Sequence, residues 1–210
     1  MALDEALLEL MPRLGRPILR LYGWTEAAAS FGYFQKYGEI EELTRLRPLV
    51  RRPTGGGLVP HAADWTYSLV FPVTDEWYSL TASESYRRVH EWLQSAFAKL
   101  NLPTELAPVA RKAHPGRCFE GYERFDLLWR GRKIAGAALR RRRDGLLIQG
   151  SIQPPALQLS KQVWEQALYS TALPGRELQW EDLVNGRELN TRAAELATQK
   201  YSQASYNQRR

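Results

Sequence analysis

Cysteine, histidine and methionine are scarce: one, three and two in 210 residues. One cysteine cannot close an internal disulfide, and no Cys/His cluster has metal-ligand spacing. No metal site is therefore expected, and Cys118 is left to act as a thiol. Long apolar runs are missing as well, because charge, Gly or Pro interrupts each one well before the ~20 residues that a bilayer span requires. The opening Met-Ala-Leu-Asp-Glu-Ala-Leu-Leu-Glu-Leu is acidic where a secretory signal would be basic. A cytoplasmic location without membrane contact is the expectation. Acid is the charge in deficit, with 23 Asp and Glu against 29 Lys and Arg, for a net charge of +6. Such a field favours acidic partners. Nucleic acid fits poorly, since the basic residues are dispersed apart from Arg140 to Arg143 and no nucleic-acid motif accompanies them. A small acidic protein satisfies the same field, and so does solubility alone.

There is neither an internal repeat nor a linker long enough to divide the chain. We expect a single domain over residues 1–201 and a loose polar tail over 202–210. Leu3, Ala6, Leu7, Leu10 and Met11 recur at helical spacing, which predicts a helix over 2–12 that ends near Gly15 and Pro17. Strands are predicted at 18–22 and over the short run 29–35, which carries Phe31, Tyr33 and Phe34. Trp65, Tyr67, Leu69 and Phe71 alternate with Thr66, Ser68 and Val70, as in a sheet strand. Thr81-Ala-Ser-Glu84 has the form of a capping box ahead of the helical stripe Tyr86, Val89, Leu93, Phe97 and Leu100. Residues 125–152 read as a three-stranded meander, turning at Arg130-Gly131-Arg132 and at Asp144-Gly145, where left-handed dihedrals are expected. That places the arginine run at a hairpin tip, with solvation or docking of an acidic partner as its alternative uses. Helices return around Val163 to Leu168 and Ala193 to Tyr201. Locally paired strands between helices predict an α+β fold.

Three stretches carry possible chemistry. Arg51-Arg-Pro-Thr-Gly-Gly-Gly57, followed by Leu58, Val59, Pro60 and His61, sets glycines where each costs conformational entropy, so either a tight turn or close approach of backbone N–H groups to a ligand must compensate. The flanking arginines favour a ligand carboxylate or phosphate. Lys133 opens a strand of small and apolar residues, Ile134-Ala-Gly-Ala-Ala138. A partly desolvated lysine is useful for proton transfer, and a surface lysine at a turn is the plain alternative. Cys118 sits beside Arg117 and near His114, an electropositive setting that favours thiolate, against the alternative of an inert filler.

Together these stretches resemble the lipoate-protein ligase and octanoyltransferase family, relatives of the biotin protein ligases. The resemblance begins at Met1-Ala-Leu-Asp-Glu-Ala-Leu-Leu and continues through Leu19-Arg-Leu-Tyr-Gly-Trp24 and Ser30-Phe-Gly-Tyr-Phe-Gln35. It then takes in Arg51 to Gly57, His61, Trp65-Thr-Tyr-Ser68, Lys133-Ile-Ala-Gly136 and Gln149-Gly-Ser-Ile152. The fold it implies is a mixed, largely antiparallel sheet with flanking helices, similar to class II aminoacyl-tRNA synthetases and biotin ligases. The activity it implies is attachment of a lipoyl or octanoyl group to a lysine of the glycine cleavage H protein or of a 2-oxoacid dehydrogenase lipoyl domain. Two chemistries compete. In the ligases, ATP and Mg activate lipoate as an adenylate. In the transferases no cofactor is used, and a cysteine takes octanoate from acyl carrier protein as a thioester.

Cys118, about fifteen residues before the Lys133 strand, resembles the nucleophile of the cysteine-dependent, ligase-like octanoyltransferases, and the Trp65 strand points the same way. The unbroken Gly55-Gly56-Gly57 and Asp126 resemble the ligases, although Phe125 replaces the ligase asparagine. Ala137 and Leu139 stand where the family often has Ser and Gln, and no C-terminal domain of ligase type is expected after residue 210. A noncatalytic acyl or acceptor-domain binder is a third reading. On the transferase reading, Cys118 and Lys133 are catalytic. Arg52, Thr54, Gly55, Gly56, Gly57, His61, Gly136, Ala137, Gly150 and Ser151 bind substrate. Backbone N–H groups at Gly55 to Gly57 or Gly136 to Ala137 meet the oxyanion, and Phe31, Tyr33, Phe34, Leu58 and Tyr67 are candidates for an acyl tunnel, with core packing as their alternative.

Overall fold

Period-two alternation at 65–71 and the helical stripe after Thr81 decide the architecture, because each supplies one apolar face that must be covered by the other. The computed structural model describes residues 1–111, 119, 121–155, 159–173, 176, 178–183 and 186–209. In chain order the elements are α1 (Ala2–Leu14), β1 (Ile18–Tyr22), β2 (Ala28–Phe31), α2 (Tyr37–Leu43), β3 (Leu49–Arg51), β4 (Val59–His61) and β5 (Trp65–Phe71). There follow α3 (Glu76–Ser79), α4 (Ala82–Lys99), β6 (Glu105–Leu106), β7 (Leu127–Trp129), β8 (Arg132–Arg142) and β9 (Gly145–Ile152). The chain closes with α5 (Lys161–Tyr169), α6 (Gly186–Leu196), a π-helical turn (Ala197–Tyr201) and α7 (Ala204–Asn207). β1-β5-β9-β8-β7-β6 form an antiparallel six-stranded sheet. A three-stranded sheet, β3-β2-β4, pairs β2 with β3 in parallel and with β4 antiparallel. The expected α+β fold with a mixed, largely antiparallel sheet is the one observed.

One face of the large sheet presents Trp65, Tyr67, Leu69, Phe71, Ile148 and Ile152, and packs against Val89, Trp92, Leu93 and Phe97 of α4 and Trp164 and Leu168 of α5. Thr81 caps α4 by accepting the Glu84 N–H, while the Glu84 carboxylate turns to Arg87 and Arg88. On the opposite face Val70 and Leu147 are covered by Leu7, Leu8 and Met11 of α1 and by α6. Each such aliphatic side chain contributes ~1.5–3 kcal/mol when fully buried. α1 ends as expected, on Gly15 in the left-handed region, whose N–H returns to the Met11 carbonyl.

Three expectations change. The arginine run is not simply a solvated tip: Arg140 donates to the Pro53 carbonyl and Arg142 to Glu5, both half-buried, while exposed Arg141 donates to the Leu80 carbonyl and Arg143, at 95% side-chain exposure, stands 3.8 Å from Asp144. Period-two geometry explains this by sending Arg140 and Arg142 to one face and Arg141 to the other. Left-handed dihedrals occur at Arg130 and Gly131 in the first turn, but in the second turn only Gly145 has a positive φ. The tail is not loose, because α7 docks on Arg51. The buried guanidinium donates to the carbonyls of Tyr206, Asn207 and Arg209 at 3.1, 3.0 and 2.8 Å, and to those of Tyr33 and Gln35. Five carbonyls around one planar fork tie residues 204–209 to the turn that follows β2.

Candidate functional site

The sheet face toward α1 changes character along its length. Where α1 ends its cover, the cross-strand row Tyr22, Thr66, Ser151, Gly136 and the next row Arg20, Ser68, Gln149, Ala138 replace aliphatic residues with polar and small ones. The cleft at this floor has Gly136, Ala137 and Gly150 on one side and Gly56 and Val59 on the other, with Lys133 and Phe119 also in its wall. The polar floor is paired with itself. Buried Asp4 accepts from Arg20 at 2.6 Å, Tyr22 at 3.0 Å, Ser68 at 2.9 Å and Gln149 at 2.7 Å. Buried Asp64 accepts from His61 Nδ1 at 2.8 Å, Thr66 at 3.1 Å and Ser151 at 2.7 Å. With their polar atoms turned to one another, these residues leave the cleft a mainly carbon surface.

The glycine stretch closes over this floor. Arg52 reaches back to the carbonyls of Gly55 and Gly57 at 2.9 and 2.8 Å, and to Ser30 Oγ at 3.0 Å. Thr54 Oγ1 donates to Gln149 Oε1 at 2.9 Å, tying the loop to the sheet. Gly56 has φ +86°, and its carbonyl lies so near Gly32 that a Cβ there would stand 1.9 Å from it. Both positions require glycine, one for its dihedral and one for the approach. Burial pushes the His61 imidazole below its usual pKa, against the opposing pull of Asp64. The ring is neutral, with Nδ1–H on Asp64.

Lys133 meets Asp126 at 2.6 Å, with side-chain exposures of 7% and 0%. Asp126 also accepts the Tyr86 hydroxyl and the Glu123 N–H. Gly136 makes room for the lysine, since a Cβ there would lie 2.7 Å from Lys133 Nζ. The Phe119 ring centroid is 5.2 Å from the same nitrogen. The Ala137 N–H is directed at Tyr86 Oη, 3.3 Å away. Burial and the Asp126 charge raise the Tyr86 phenol well above its usual pKa, which keeps it a donor.

Of the residues singled out from sequence, Arg52, Gly56, His61, Lys133, Gly136, Ala137, Gly150 and Ser151 line one cleft. Thr54, Gly55 and Gly57 belong to the loop above it. Gly150 is a notch filled from behind by Tyr67, whose ring would lie 2.1 Å from a Cβ at that position. Cys118, with His114 and Arg117, lies outside the described residues. The tunnel candidates do not line the cleft. Phe31 and Leu58 belong to the core beneath the small sheet, Tyr67 to the core under α4, Phe34 is 87% exposed, and Tyr33 lies between Arg140 and Arg209. Small residues, rather than aromatic ones, make the room. Sequence reasoning missed Asp4, Ser30, Asp64 and Tyr86. The polar positions alternating with the apolar face of β5 were the available signal for a polar floor.

Among the described residues, no group of three His, Cys, Asp or Glu side chains is placed to hold a metal ion, and no helix is long and apolar enough to cross a membrane. A larger groove of about 630 Å³, walled by Leu19, Trp92, Tyr169 and Trp180, shares no lining residue with the cleft.

Comparison with known proteins agrees with the geometry. The family model described as the lipoyl protein ligase A/B catalytic domain matches residues 1–153. The protein named octanoyltransferase LipM from Carboxydothermus hydrogenoformans is 39% identical over 158 residues, 72% of this chain and 59% of that one. Its namesake from Staphylococcus aureus is 35% identical over 166 residues, 72% of this chain and 60% of that one. The chain thus spans about 60% of the length of these curated relatives. A crystal structure of lipoate-protein ligase A bound with ATP superposes with a TM-score of 0.79 at 21% identity, covering 99% of this chain and 92% of that one. A bi-partite lipoate protein ligase from Thermoplasma acidophilum, described with its E2 lipoyl domain, gives 0.73 at 22% identity over 99% and 89%. At such identities the likeness is one of fold.

Proposed function

The chain belongs to the lipoyl protein ligase A/B catalytic-domain family, and from that premise we propose that it transfers an octanoyl group to a lysine of a lipoyl-acceptor domain through a Cys118 thioester. The observation that carries this reading is the buried Lys133–Asp126 pair at a cleft of mainly carbon surface, with Phe119, the residue after Cys118, against the same lysine. The Cys118 thiolate adds to the thioester carbonyl of octanoyl-acyl carrier protein, and collapse of the adduct expels the carrier thiol, which takes the thiol proton. The acceptor lysine amine then attacks the enzyme thioester, forms the amide and returns the thiolate, its proton leaving through the Lys133–Asp126 pair. Lys133 Nζ, a cation in the cleft wall, supplies positive charge to the developing oxyanion on this reading. Each half-reaction exchanges one acyl acceptor for another and needs no cofactor. The mainly carbon walls suit an acyl chain, whose burial is worth ~0.8 kcal/mol per methylene. The glycine cleavage H protein and 2-oxoacid dehydrogenase lipoyl domains are the acceptors this reading names, in the cytoplasm, and a basic surface speeds encounter with acidic partners.

The unbroken Gly55-Gly56-Gly57 and the fold shared with an ATP-bound ligase favour a second reading, formation of an acyl adenylate. Lys133 would then hold the phosphate, and magnesium would supply charge neutralisation for it. Mass spectrometry after incubation with octanoyl-acyl carrier protein separates the two readings. The transfer reading expects an acyl adduct that is absent from Cys118→Ala. An adduct that persists in that variant removes the thiol from the mechanism, and pyrophosphate release with ATP and octanoate by an active Cys118→Ala establishes the ligase reading.

A further inference from the structure

A hydrogen-bond chain leads from the floor of the cleft to the glycine loop, and its direction follows from chemistry. The Asp64 carboxylate can only accept, so His61 Nδ1 carries the hydrogen of their 2.8 Å contact. The ring is neutral, which leaves Nε2 as an acceptor and obliges Ser30 Oγ, 2.6 Å away, to donate to it. The serine lone pair is then free to accept from Arg52 Nη1 at 3.0 Å, and the other end of the same guanidinium donates to the carbonyls of Gly55 and Gly57. Trp24 locks the start of the chain. Its ring stacks on His61 at 4.1 Å, and its Nε1 donates to Thr66, which itself donates to Asp64.

A trans peptide points its C=O and N–H in opposite directions. Drawing the Gly55 carbonyl onto Arg52 therefore turns the Gly56 N–H away from Arg52, while the Gly56 carbonyl is set against Gly32. Of the three glycines, Gly56 lines the cleft. We propose that Ser30, His61 and Asp64 are positioning residues that act through Arg52 to fix the Gly55 to Gly57 loop, and with it the Gly56 N–H as the backbone donor to the reacting carbonyl. His61 and Ser151, on this assignment, build the loop's support and do not hold the substrate. The serine stands in a Ser-His-Asp order, but on this assignment its oxygen serves Arg52 and the loop, and the acyl group is carried elsewhere.

The loop geometry does not depend on the acyl-transfer reading, whereas the kinetic consequence rests on it, so the test has two arms. In the first, amide hydrogen exchange by mass spectrometry follows the peptide containing residues 53–58 in the parent, Ser30→Ala, Asp64→Asn, Thr66→Val and Ser30→Thr. Loss of the serine link is expected to speed exchange there by about tenfold, the opening that removal of one charge-assisted hydrogen bond permits. Asp64→Asn should act in the same direction, and Thr66→Val, which leaves His61 and Ser151 on the Asp64 carboxylate, should act to a smaller extent. Peptides of β5 and β9 serve as the reference for global loosening. In the second arm, acyl loading by Ser30→Ala is expected to lose kcat by about 10²-fold with little change in KM, the signature of a misplaced transition-state donor, and Ser30→Thr restores it. Unchanged loop exchange in both Ser30→Ala and Asp64→Asn overturns the proposal, as does loss of loading in Ser30→Thr equal to that in Ser30→Ala. If the parent protein loads no acyl group, the transfer reading falls and the exchange arm still decides the loop.

Discussion

Tyr86 on α4 gives its phenol hydrogen to Asp126, whose other carboxylate oxygen meets Lys133 Nζ at 2.6 Å. One helix side chain thereby orients a buried ion pair that belongs to the sheet, and the Ala137 N–H completes the phenol's bonding at 3.3 Å.

Removing the carboxylate charge leaves a buried ammonium without its counter-ion. Asp126→Asn is expected to cost ~3–5 kcal/mol of stability, the usual penalty for breaking a buried pair from one side. Tyr86→Phe keeps the pair but drops the hydrogen bond to Asp126 and the one from the Ala137 N–H, for about 1–2 kcal/mol. Urea unfolding checks both. Equal losses in the two variants would place the weight on α4 packing and not on the ion pair.

Arg51 is the second buried cation that the structure depends on. Arg51→Ala strips hydrogen bonds from five carbonyls and should lower stability by ~3–5 kcal/mol. It should also expose the chain beyond Tyr201 to limited proteolysis. Arg51→Lys should recover little, because an ammonium cannot span the fork of acceptors. Parent-like proteolysis of Arg51→Ala would mean that α7 is held by other contacts.

How much of this was legible in sequence depends on whether the determining interaction is local. Period and capping are local signals, and they located β1, β5, the β7–β9 meander and α4 within a few residues. The docking of α7 was not legible, because a polar tail is read as solvated unless a distant guanidinium is known to need acceptors. The tunnel candidates stayed open between core and cleft for a related reason. Aromatic residues near a glycine motif can pack on either face of a strand, and register across β5, β9 and β8 decides which face meets the cleft. Cross-strand register is a nonlocal quantity. The same register brought Thr66, Ser151 and Gly136 into one row, which no spacing along the chain reveals. Motif resemblance located Lys133, Asp126, His61 and Arg52 and passed through Ser30, but it gave neither Asp64 nor the pairing of these residues, which supplies the geometry.

His90 makes the α4 packing sensitive to acid. Its ring is fully buried, Nδ1 donates to the Tyr86 carbonyl, and burial pushes its pKa down to about 4 from 6.5. Above pH 6.5 the ring is neutral folded or unfolded, and the protonation penalty is absent. As pH falls from 6.5 toward 4 the unfolded chain takes up a proton that the folded chain refuses, so stability should drop by about 3 kcal/mol over that window. Asp4 and Glu5, whose carboxyls are held below their usual pKa, give up stability at lower pH. The measurement is therefore the difference between parent and His90→Leu in urea midpoints from pH 7 to pH 4. The variant curve should be flatter, and parallel curves would remove His90 as the acid-sensitive group.

Phe125 occupies a backbone position that its side chain does not favour. Its φ is +71°, in the left-handed region, where an L-residue costs roughly 1–2 kcal/mol and where Gly and Asn sit most easily. The position cannot relax freely, because the Phe125 N–H binds the Ala107 carbonyl at 2.8 Å and the next residue is Asp126, with its carboxylate on Lys133. The half-buried ring, with the Arg124 guanidinium 4.5 Å from its centroid, returns part of that cost. Phe125→Asn is expected to stabilise the protein by about 0.5–1 kcal/mol, from the dihedral preference less the lost ring contacts. A rise of about 2–4 °C in the thermal midpoint corresponds to 1 kcal/mol in a chain of this size. Phe125→Ala separates the two contributions, since it loses the ring without gaining the left-handed preference and should be less stable than the parent. If Phe125→Asn falls together with Phe125→Ala, the ring contacts outweigh the backbone, and the strained residue is retained for packing beside the ion pair.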